Sequence, residues 1–446
     1  MDVRSKLLCL CVAGYLLLLA GWPKFTAAES PQPRAIDESR VRAAGIRKLT
    51  SKRLTLYTDM PSAAVVDELP EIFDQAVPQW CAYFGVDESK LADWHHTACL
   101  MQDKMRFEAS GLLPPSLPPF LNGYTVRHES WVNNQTTDKG QIVTISDYYR
   151  RHLLLHEGTH AFMINVLVGI GPPWYAEGMA ELLGTHRWRD GRLQLDYFPA
   201  RPAEVSKLGR IELVETDVAN HRGRTLAEVL AYDAHAHLKV EPYAWSWAAT
   251  AFLDNHPRYR DRFHEVWRFA AERNFNKRFA EKFADDGAQL AEEFQVFASD
   301  ITYGYDFSRT AIDFTPGKPL PSSHARVVVD ADRGWQNSGL MLEAGTTYHL
   351  AAAGRYQVAK EPRIWWSEPG GISIRYFHGK PLGVLLGAVR LDHPANGDSP
   401  LASPIVVGLG ATIHPEKSGT LYLRTNVPSG EFKSAAGSLT VEISRD

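Results

Sequence analysis

Hydrophobic and polar positions divide the first part of the chain into strands followed by helices. Residues 53–58 alternate like a strand, and apolar residues recur at helical spacing across residues 63–84. Residues 96–101 and 141–145 are further short strands, whereas residues 225–303 are mostly helical in pattern. Strands first and helices later predict an α+β domain.

Two helices separated by a break are predicted in the middle of this region. Ser146 or Asp147 caps a long helix that runs to about Val168. A glycine- and proline-rich break follows at residues 169–173, and a second helix starts near Trp174.

The pattern changes at Phe314, where a proline- and serine-rich stretch predicts a linker over residues 314–323. Beyond the linker, short alternating runs are separated by Gly, Pro and Asn. They predict an all-β, jelly-roll-like sandwich over residues 324–446. The runs are residues 326–330, 348–352, 372–377, 405–409, 419–424 and 438–443.

Length and composition indicate a soluble protein of more than one domain. The chain has 446 residues, of which 44% are hydrophobic and 22% are charged. The formal net charge is −4 without a basic cluster, so neither nucleic acid nor an anionic membrane surface is an expected partner.

The amino terminus has the pattern of a signal peptide over residues 1–28. A basic start at Arg4 and Lys6 precedes an apolar run, and Thr26 and Ala28 offer small residues for cleavage after Ala28. An uncleaved anchor is the alternative. We expect a secreted or periplasmic protein with no membrane span after signal cleavage.

Only Cys81 and Cys99 lie beyond the predicted signal peptide. In an exported protein they either form one disulfide or remain buried thiols, and the sequence alone does not choose. They are too few to form a zinc knuckle.

The candidate chemistry lies in an H-E-x-x-H motif, His156-Glu157-Gly158-Thr159-His160. Two histidines four positions apart on a helix project from one face and reach one metal ion. Glu157 leans toward the open side of that ion. There it can take a proton from the attacking water and pass it to the leaving amine.

A catalytic zinc usually has three protein ligands, and Glu177 is the best third candidate. The break before it lets the chain reverse, so that the second helix returns Glu177 to the ion. Glu181 lies one turn further on, where it suits a hydrogen bond to a ligand histidine. Glu181 also remains an alternative ligand, and His152 is interpreted as a packed or supporting residue.

The run HEGTHAF…PPWYAEGMAELL resembles the gluzincin branch of zinc peptidases, in particular the peptidase-MA-like families. The resemblance covers roughly residues 50–305 and implies a thermolysin-like zincin domain, placed here at residues 29–313. It also implies Zn²⁺ as cofactor and Glu177 as its third ligand. The G-x-M-E-N signature of the aminopeptidase branch is absent, which argues against aminopeptidase activity.

Gluzincins often stabilise the oxyanion with a Tyr or His from the helical lobe. By that resemblance Tyr243 is chosen, with packing of the lobe as an equal alternative. His235 and His237 are weaker candidates.

A peptide substrate is expected to add to an edge strand, either within residues 124–132 or at residues 141–145. Trp131 and Trp174 either line subsites or pack in the interior.

The C-terminal region resembles the PA-IL-like galactose-lectin fold over roughly residues 324–446. The matching framework positions are Gly354, Gly383, Gly387, Leu421, Asn426 and Gly437. That family binds calcium and a sugar, but Ala435 offers no side-chain oxygen where calcium needs six to eight oxygens. The resemblance implies a sandwich without that calcium site, which either binds glycan through Trp365 and Trp366 or stabilises the protein.

The leading hypothesis is a secreted zinc metallopeptidase that hydrolyses peptide bonds with water activated by Glu157. The alternative is a glycan-binding or adhesion protein with a vestigial zincin domain. Hydrolysis of another acyl substrate is a third hypothesis. The expected partners are a peptide or protein substrate and, through the C-terminal region, a glycan.

Overall fold

The computed structural model describes residues 34–138, 141–206, 208–235, 239–391 and 398–446. The chain divides into two compact units, Met1–Asp37 and Glu38–Asp446. All helices and strands of the described residues lie in the second unit. The predicted signal peptide falls outside the described residues.

A five-stranded mixed sheet opens the second unit. Strands β2 and β3 and strands β3 and β5 pair in parallel, while β4 pairs antiparallel to β5 and forms one edge. The strands are β1 (Arg47–Thr50), β2 (Leu54–Thr58), β3 (His96–Met101), β4 (Gly123–Val126) and β5 (Glu129–Asn133).

Helices α3 and α5 pack against this sheet, and the same part of the chain contains further helices and two short hairpins. The hairpins join β6 (Gln135–Asp138) to β7 (Gln141–Thr144), and β8 (Arg187–Arg189) to β9 (Arg192–Gln194). The helices are α1 (Glu38–Ala43), α2 (Ala64–Asp67), α3 (Leu69–Phe84), α4 (Lys104–Ser110), α5 (Asp147–Phe162), α6 (Pro173–Gly184), α7 (Arg210–Ala219), α8 (Leu226–Leu230), α9 (Val240–Asn255), α10 (Arg260–Phe263), α11 (Phe275–Lys282), α12 (Gly287–Asp300) and α13 (Phe307–Thr310).

Helix α6 packs against both α5 and α9 at the centre of the helical part. The approach to α9 is close at Gly178, where a Cβ atom would lie 2.4 Å from Cγ2 of Thr250. Thr250 also donates a 2.9 Å hydrogen bond to the carbonyl of Gly178. Since a real Cβ atom does not approach its neighbours this closely, glycine is required for the observed spacing of the two helices.

Two antiparallel-rich sheets make up the C-terminal part. One has the order β10-β12-β21-β18-β19, the other β11-β22-β13-β20, and two further hairpins join β14 to β15 and β16 to β17. The strands are β10 (Lys318–Pro319), β11 (His324–Asp330), β12 (Gln336–Leu342), β13 (Tyr348–Ala353), β14 (Tyr356–Ala359), β15 (Trp365–Ser367), β16 (Ile372–Phe377), β17 (Lys380–Leu382), β18 (Leu385–Arg390), β19 (Ile405–Val406), β20 (Gly410–Ile413), β21 (Gly419–Thr425) and β22 (Ser438–Arg445).

Each part has its own hydrophobic core, and a third apolar cluster joins them. That cluster packs Val296 of α12 and Ile312 against Leu386 and Tyr422 of the sheet containing β18 and β21. A buried ion pair crosses at the same place, since Nε of Arg390 lies 2.8 Å from Oε2 of Glu292. Helix α12 is therefore firmly packed against the β-rich part.

The structure has a part that mixes helices and strands, followed by a part built mainly of strands. This order agrees with the predicted order of an α+β domain and an all-β domain. The predicted linker contains β10, which pairs in parallel with β12. The identification of the first part as a zincin fold, and the domain boundaries 29–313, 314–323 and 324–446, stay predictions. Within the described residues no helix is long and apolar enough to cross a membrane. Cys81 and Cys99 are both buried, and no disulfide joins them.

Candidate metal centre

Helix α5 carries the H-E-x-x-H motif, and local chemistry fixes both of its ends. Ser146 is its N-cap and accepts a 3.1 Å hydrogen bond from the backbone of Tyr149. After Phe162 the chain continues as a π-helical turn, Met163–Leu167, and then reverses. Helix α6 begins with Pro173 in its first turn, a position that needs no backbone donor.

This reversal brings His156, His160 and Glu177 together. The Nε2 atoms of the two histidines lie 3.2 Å apart, and Oε2 of Glu177 lies 3.3 Å from the first and 3.4 Å from the second. These three atoms form one of the two groups among the described residues that could hold a metal ion.

The triangle fits a tetrahedral zinc ion. Zinc bonds of about 2.0–2.1 Å to nitrogen and oxygen separate neighbouring ligand atoms by about 3.3–3.4 Å. Oε2 of Glu177 is buried and makes no hydrogen bond within the described residues, despite its distance to both imidazoles. A buried carboxylate oxygen without a hydrogen bond is costly, and a bound cation would satisfy it.

The electrostatics of the cluster also favour a cation. Burial alone lowers the pKa of His156, but the carboxylates of Glu177 and Glu181 outweigh burial and raise that pKa to about 10. Burial raises the pKa of Glu177, yet His160 and His156 bring it well below its ordinary value. The cluster therefore holds a proton that a metal ion can replace.

Glu157 lies beside the candidate metal-binding group, on the side of the edge strand β4. It is 4% exposed, and Oγ1 of Thr125 donates a 2.6 Å hydrogen bond to its Oε2 atom. A Cβ atom on Gly123 would lie 2.2 Å from its Oε1 atom, so a larger residue there would displace the carboxylate or the strand. Burial raises the pKa of Glu157 despite the nearby histidines.

Glu181 lies on the other side of His156. Its Oε1 atom is 3.4 Å from Nδ1 of His156, and its Oε2 atom is 3.3 Å from Nε2 of His152. Arg210 donates to both carboxylate oxygens, at 2.8 and 2.9 Å. His152, His156 and Glu181 form the second metal-ligating group, but the guanidinium already neutralises its carboxylate, which disfavours a second cation.

Tyr243 faces the same site from α9. Its ring centroid lies 5.9 Å from that of His156, and the Arg210 guanidinium lies 5.8 Å from its centre. Burial and the carboxylate of Glu177 raise the pKa of Tyr243, so its hydroxyl stays protonated and able to donate. His235 is exposed beside Asp233, and His237 lies outside the described residues.

Two alternatives on the substrate side are decided by the structure. Trp131 and Trp174 are buried and donate to Leu112 and Asn276, so both are interior residues. The edge strand beside the site is Gly123–Val126, which overlaps the predicted range 124–132, whereas Gln141–Thr144 pairs in a separate hairpin.

Sequence reasoning missed three residues that shape this site: Gly123, Thr125 and Arg210. Each meets its partner through a contact between residues distant in sequence. No local motif marks them, and only the packing of β4 and α7 against the site reveals their roles.

Comparisons with known proteins name no family for this chain. No protein-family model matches the sequence, and no curated protein matches it.

Solved structures with limited likeness to the chain include the following three. An aminopeptidase N family protein from Idiomarina loihiensis is 11% identical, with 88% of this chain and 68% of that chain covered and a TM-score of 0.32. IMPa from Pseudomonas aeruginosa, solved with an O-glycopeptide, is 12% identical, with coverage of 88% and 37% and a TM-score of 0.18.

The EclA N-terminal domain, a PllA-like lectin, is 23% identical, with coverage of 27% and 95% and a TM-score of 0.20. At these TM-scores the three likenesses carry no argument about function, which rests on the geometry of the site.

Proposed function

We propose that this chain is a zinc-dependent peptidase of the gluzincin type. The observation that carries the proposal is the triangle formed by Nε2 of His156, Nε2 of His160 and Oε2 of Glu177, with sides of 3.2–3.4 Å. These residues would hold Zn²⁺, which polarises the scissile carbonyl and acidifies water when bound.

Glu157 is the proposed general base and acid. Burial makes its carboxyl more basic than an exposed one, while the Thr125 hydrogen bond fixes one oxygen and leaves Oε1 to exchange the proton. The same residue would return that proton to the leaving amine.

Tyr243 is the proposed oxyanion donor. Its raised pKa keeps the phenol protonated, and its ring lies beside His156. Donors aimed at developing negative charge are most effective in a buried site, and His156 and Glu157 beside Tyr243 are buried.

The proposed substrate is a peptide or protein segment that lies along β4. This strand is the edge of its sheet and contacts Glu157 through Thr125, so an extended peptide paired with it would pass the general base. We also propose, from the signal-peptide pattern alone, that the protein is secreted or periplasmic.

A glycan-binding role is the second candidate, and it rests on one surface feature. Trp366 is 48% exposed, and the Arg355 guanidinium lies 5.3 Å from its ring centre. Exposed aromatic rings suit stacking against sugars. A glycan array probed with the full chain and with Trp366→Ala tests this role, which fails if the two proteins bind alike or not at all.

The test of the proposed peptidase combines metal analysis with peptide hydrolysis. Purified wild type is expected to hold one zinc per chain and to cleave a peptide library. Glu157→Gln should keep the zinc and lose hydrolysis, whereas His160→Ala should lose both. His235→Ala, an exposed histidine away from the cluster, serves as the matched control. Zinc-free wild type, or an active Glu157→Gln, would refute the proposal.

A further inference from the structure

Arg210 is a buried cation that makes two parallel hydrogen bonds to one carboxylate of the site. It opens helix α7 and is 7% exposed. Its Nε atom donates to Oε2 of Glu181 at 2.8 Å, and its Nη2 atom donates to Oε1 at 2.9 Å. Such a bidentate pair fixes the carboxylate in orientation as well as in place.

The Arg210–Glu181 ion pair contacts two residues of the candidate site, His156 and Tyr243. Oε1 of Glu181 lies 3.4 Å from Nδ1 of His156, whose other nitrogen belongs to the metal cluster. The guanidinium also lies 5.8 Å from the ring centre of Tyr243, within the range of a cation–π contact. One side chain therefore touches the support of a ligand and the proposed oxyanion donor.

A second contact holds α7 in register with α9. Asp217 lies two turns after Arg210 on α7 and accepts a 3.1 Å hydrogen bond from Nε1 of Trp245. Trp245 follows Tyr243 on α9, and both it and Asp217 are buried. The guanidinium is thus presented to the site by a helix that is itself anchored.

We propose that Arg210 is a positioning residue. It orients His156 through Glu181, and it holds Tyr243 in place through the cation–π contact with its ring. The inference rests on the proposed zinc site. A carboxylate that orients a ligand histidine usually contributes about 10–100-fold to metal affinity. Here Arg210 donates hydrogen bonds to both oxygens of that carboxylate.

The first test measures zinc affinity by chelator competition in the Glu157→Gln background, where no activity is needed. Arg210→Met is expected to weaken zinc binding about 10–100-fold. Arg210→Lys keeps the charge but not the two-pronged geometry, so it should lose less. Glu181→Gln should match Arg210→Met. Adding Arg210→Met to the Glu181→Gln variant should change zinc affinity little, since Arg210 acts through Glu181.

Arg390→Met is the matched control, because Arg390 and Glu292 form a similarly buried pair at 2.8 Å away from the cluster. It should lower the melting temperature and leave zinc affinity at the wild-type value. The proposal is overturned if Arg210→Met behaves like this control, or if its effect adds in full to that of Glu181→Gln.

The second test separates the Tyr243 contact from the metal. In the active protein, Tyr243→Phe should lower kcat and leave zinc affinity unchanged, while Arg210→Met should lower both. Wild type that binds zinc but cleaves no peptide would refute the proposed function. It would not affect the conclusion about the role of Arg210 in zinc affinity. Wild-type zinc affinity in Arg210→Met would sink this inference alone.

Discussion

The hydroxyl of Thr125 donates a 2.6 Å hydrogen bond to Oε2 of Glu157, which joins edge strand β4 to helix α5. The same hydroxyl lies 3.1 Å from the backbone carbonyl of Glu157. Burial raises the pKa of this carboxyl, and the hydrogen bond from Thr125 opposes that effect. The threonine thereby favours the ionised form that accepts a proton.

Replacing Thr125 by valine keeps its shape and removes the donor. Hydrogen bonds to charged groups contribute about 1.5–3 kcal/mol, so we expect kcat/KM to fall about tenfold or more. Thr125→Ser retains the hydroxyl and should stay near wild type. Equal rates for the valine and serine variants would show that the contact does not matter for hydrolysis.

Gly123→Ala is predicted to disable hydrolysis without removing the metal. The added methyl would overlap Oε1 of Glu157, so either the carboxylate or β4 must move. A displacement of about 1 Å at a reacting group can cost about 100-fold in rate. Zinc content should remain that of wild type. Gly287→Ala, where nothing lies within 4 Å of the new atom, is the control that should keep full activity.

The zinc-free protein is predicted to lose stability as the pH rises above neutrality. The folded pKa of His156 is raised from 6.5 to about 10. Its proton therefore stabilises the fold fully below about pH 6.5, and this contribution disappears as the pH rises through 10. Urea unfolding of chelator-treated wild type and His156→Gln should show their difference in unfolding free energy shrinking over this range.

Bound zinc should abolish that pH dependence, because the ion replaces the proton. At a free zinc concentration about 100 times the Kd, the metal should add about 2.7 kcal/mol to the unfolding free energy. His235→Gln should follow wild type throughout. A zinc-free protein with equal wild-type and His156→Gln profiles would contradict the prediction.

A chain cut after residue 313 is predicted to aggregate or melt at a lower temperature than a chain that continues to residue 446. The cut would expose Val296 and Ile312, which pack against Leu386 and Tyr422. It would also remove Arg390 from Glu292. Size-exclusion chromatography and thermal unfolding of both chains check this. A monomeric short chain with an unchanged melting temperature would mean that the two parts are energetically independent.

Local sequence patterns were informative wherever a single element carries the signal. The range His96–Met101 coincides with the predicted strand, and the helix after Ser146 follows from its cap and apolar spacing. The reversal before Pro173 follows from residues that end helices. These features depend on neighbours in sequence, so they can be read without a fold.

Contacts between distant elements could not be read in this way. Strand Gly123–Val126 is short and only half-buried, so its pattern has little contrast. Arg210 meets Glu181 because α7 packs against α9, which in turn packs against α6. Such partners are brought together by the packing of elements that are distant in sequence. The residue pattern of a single sequence does not predict these contacts.

The close approach at Gly178 bears on how the proposed third ligand can be recognised in other sequences. Gly178 allows α6 to approach α9 closely, and Glu177, the residue before it, lies 3.3 Å from Nε2 of His156 and 3.4 Å from Nε2 of His160. If Glu177 is the third ligand as we propose, the acid followed directly by glycine marks the ligand position, whereas Glu181 is followed by a leucine. In an unfamiliar chain with this motif, the size of the next residue would tell a metal-binding glutamate from a supporting one.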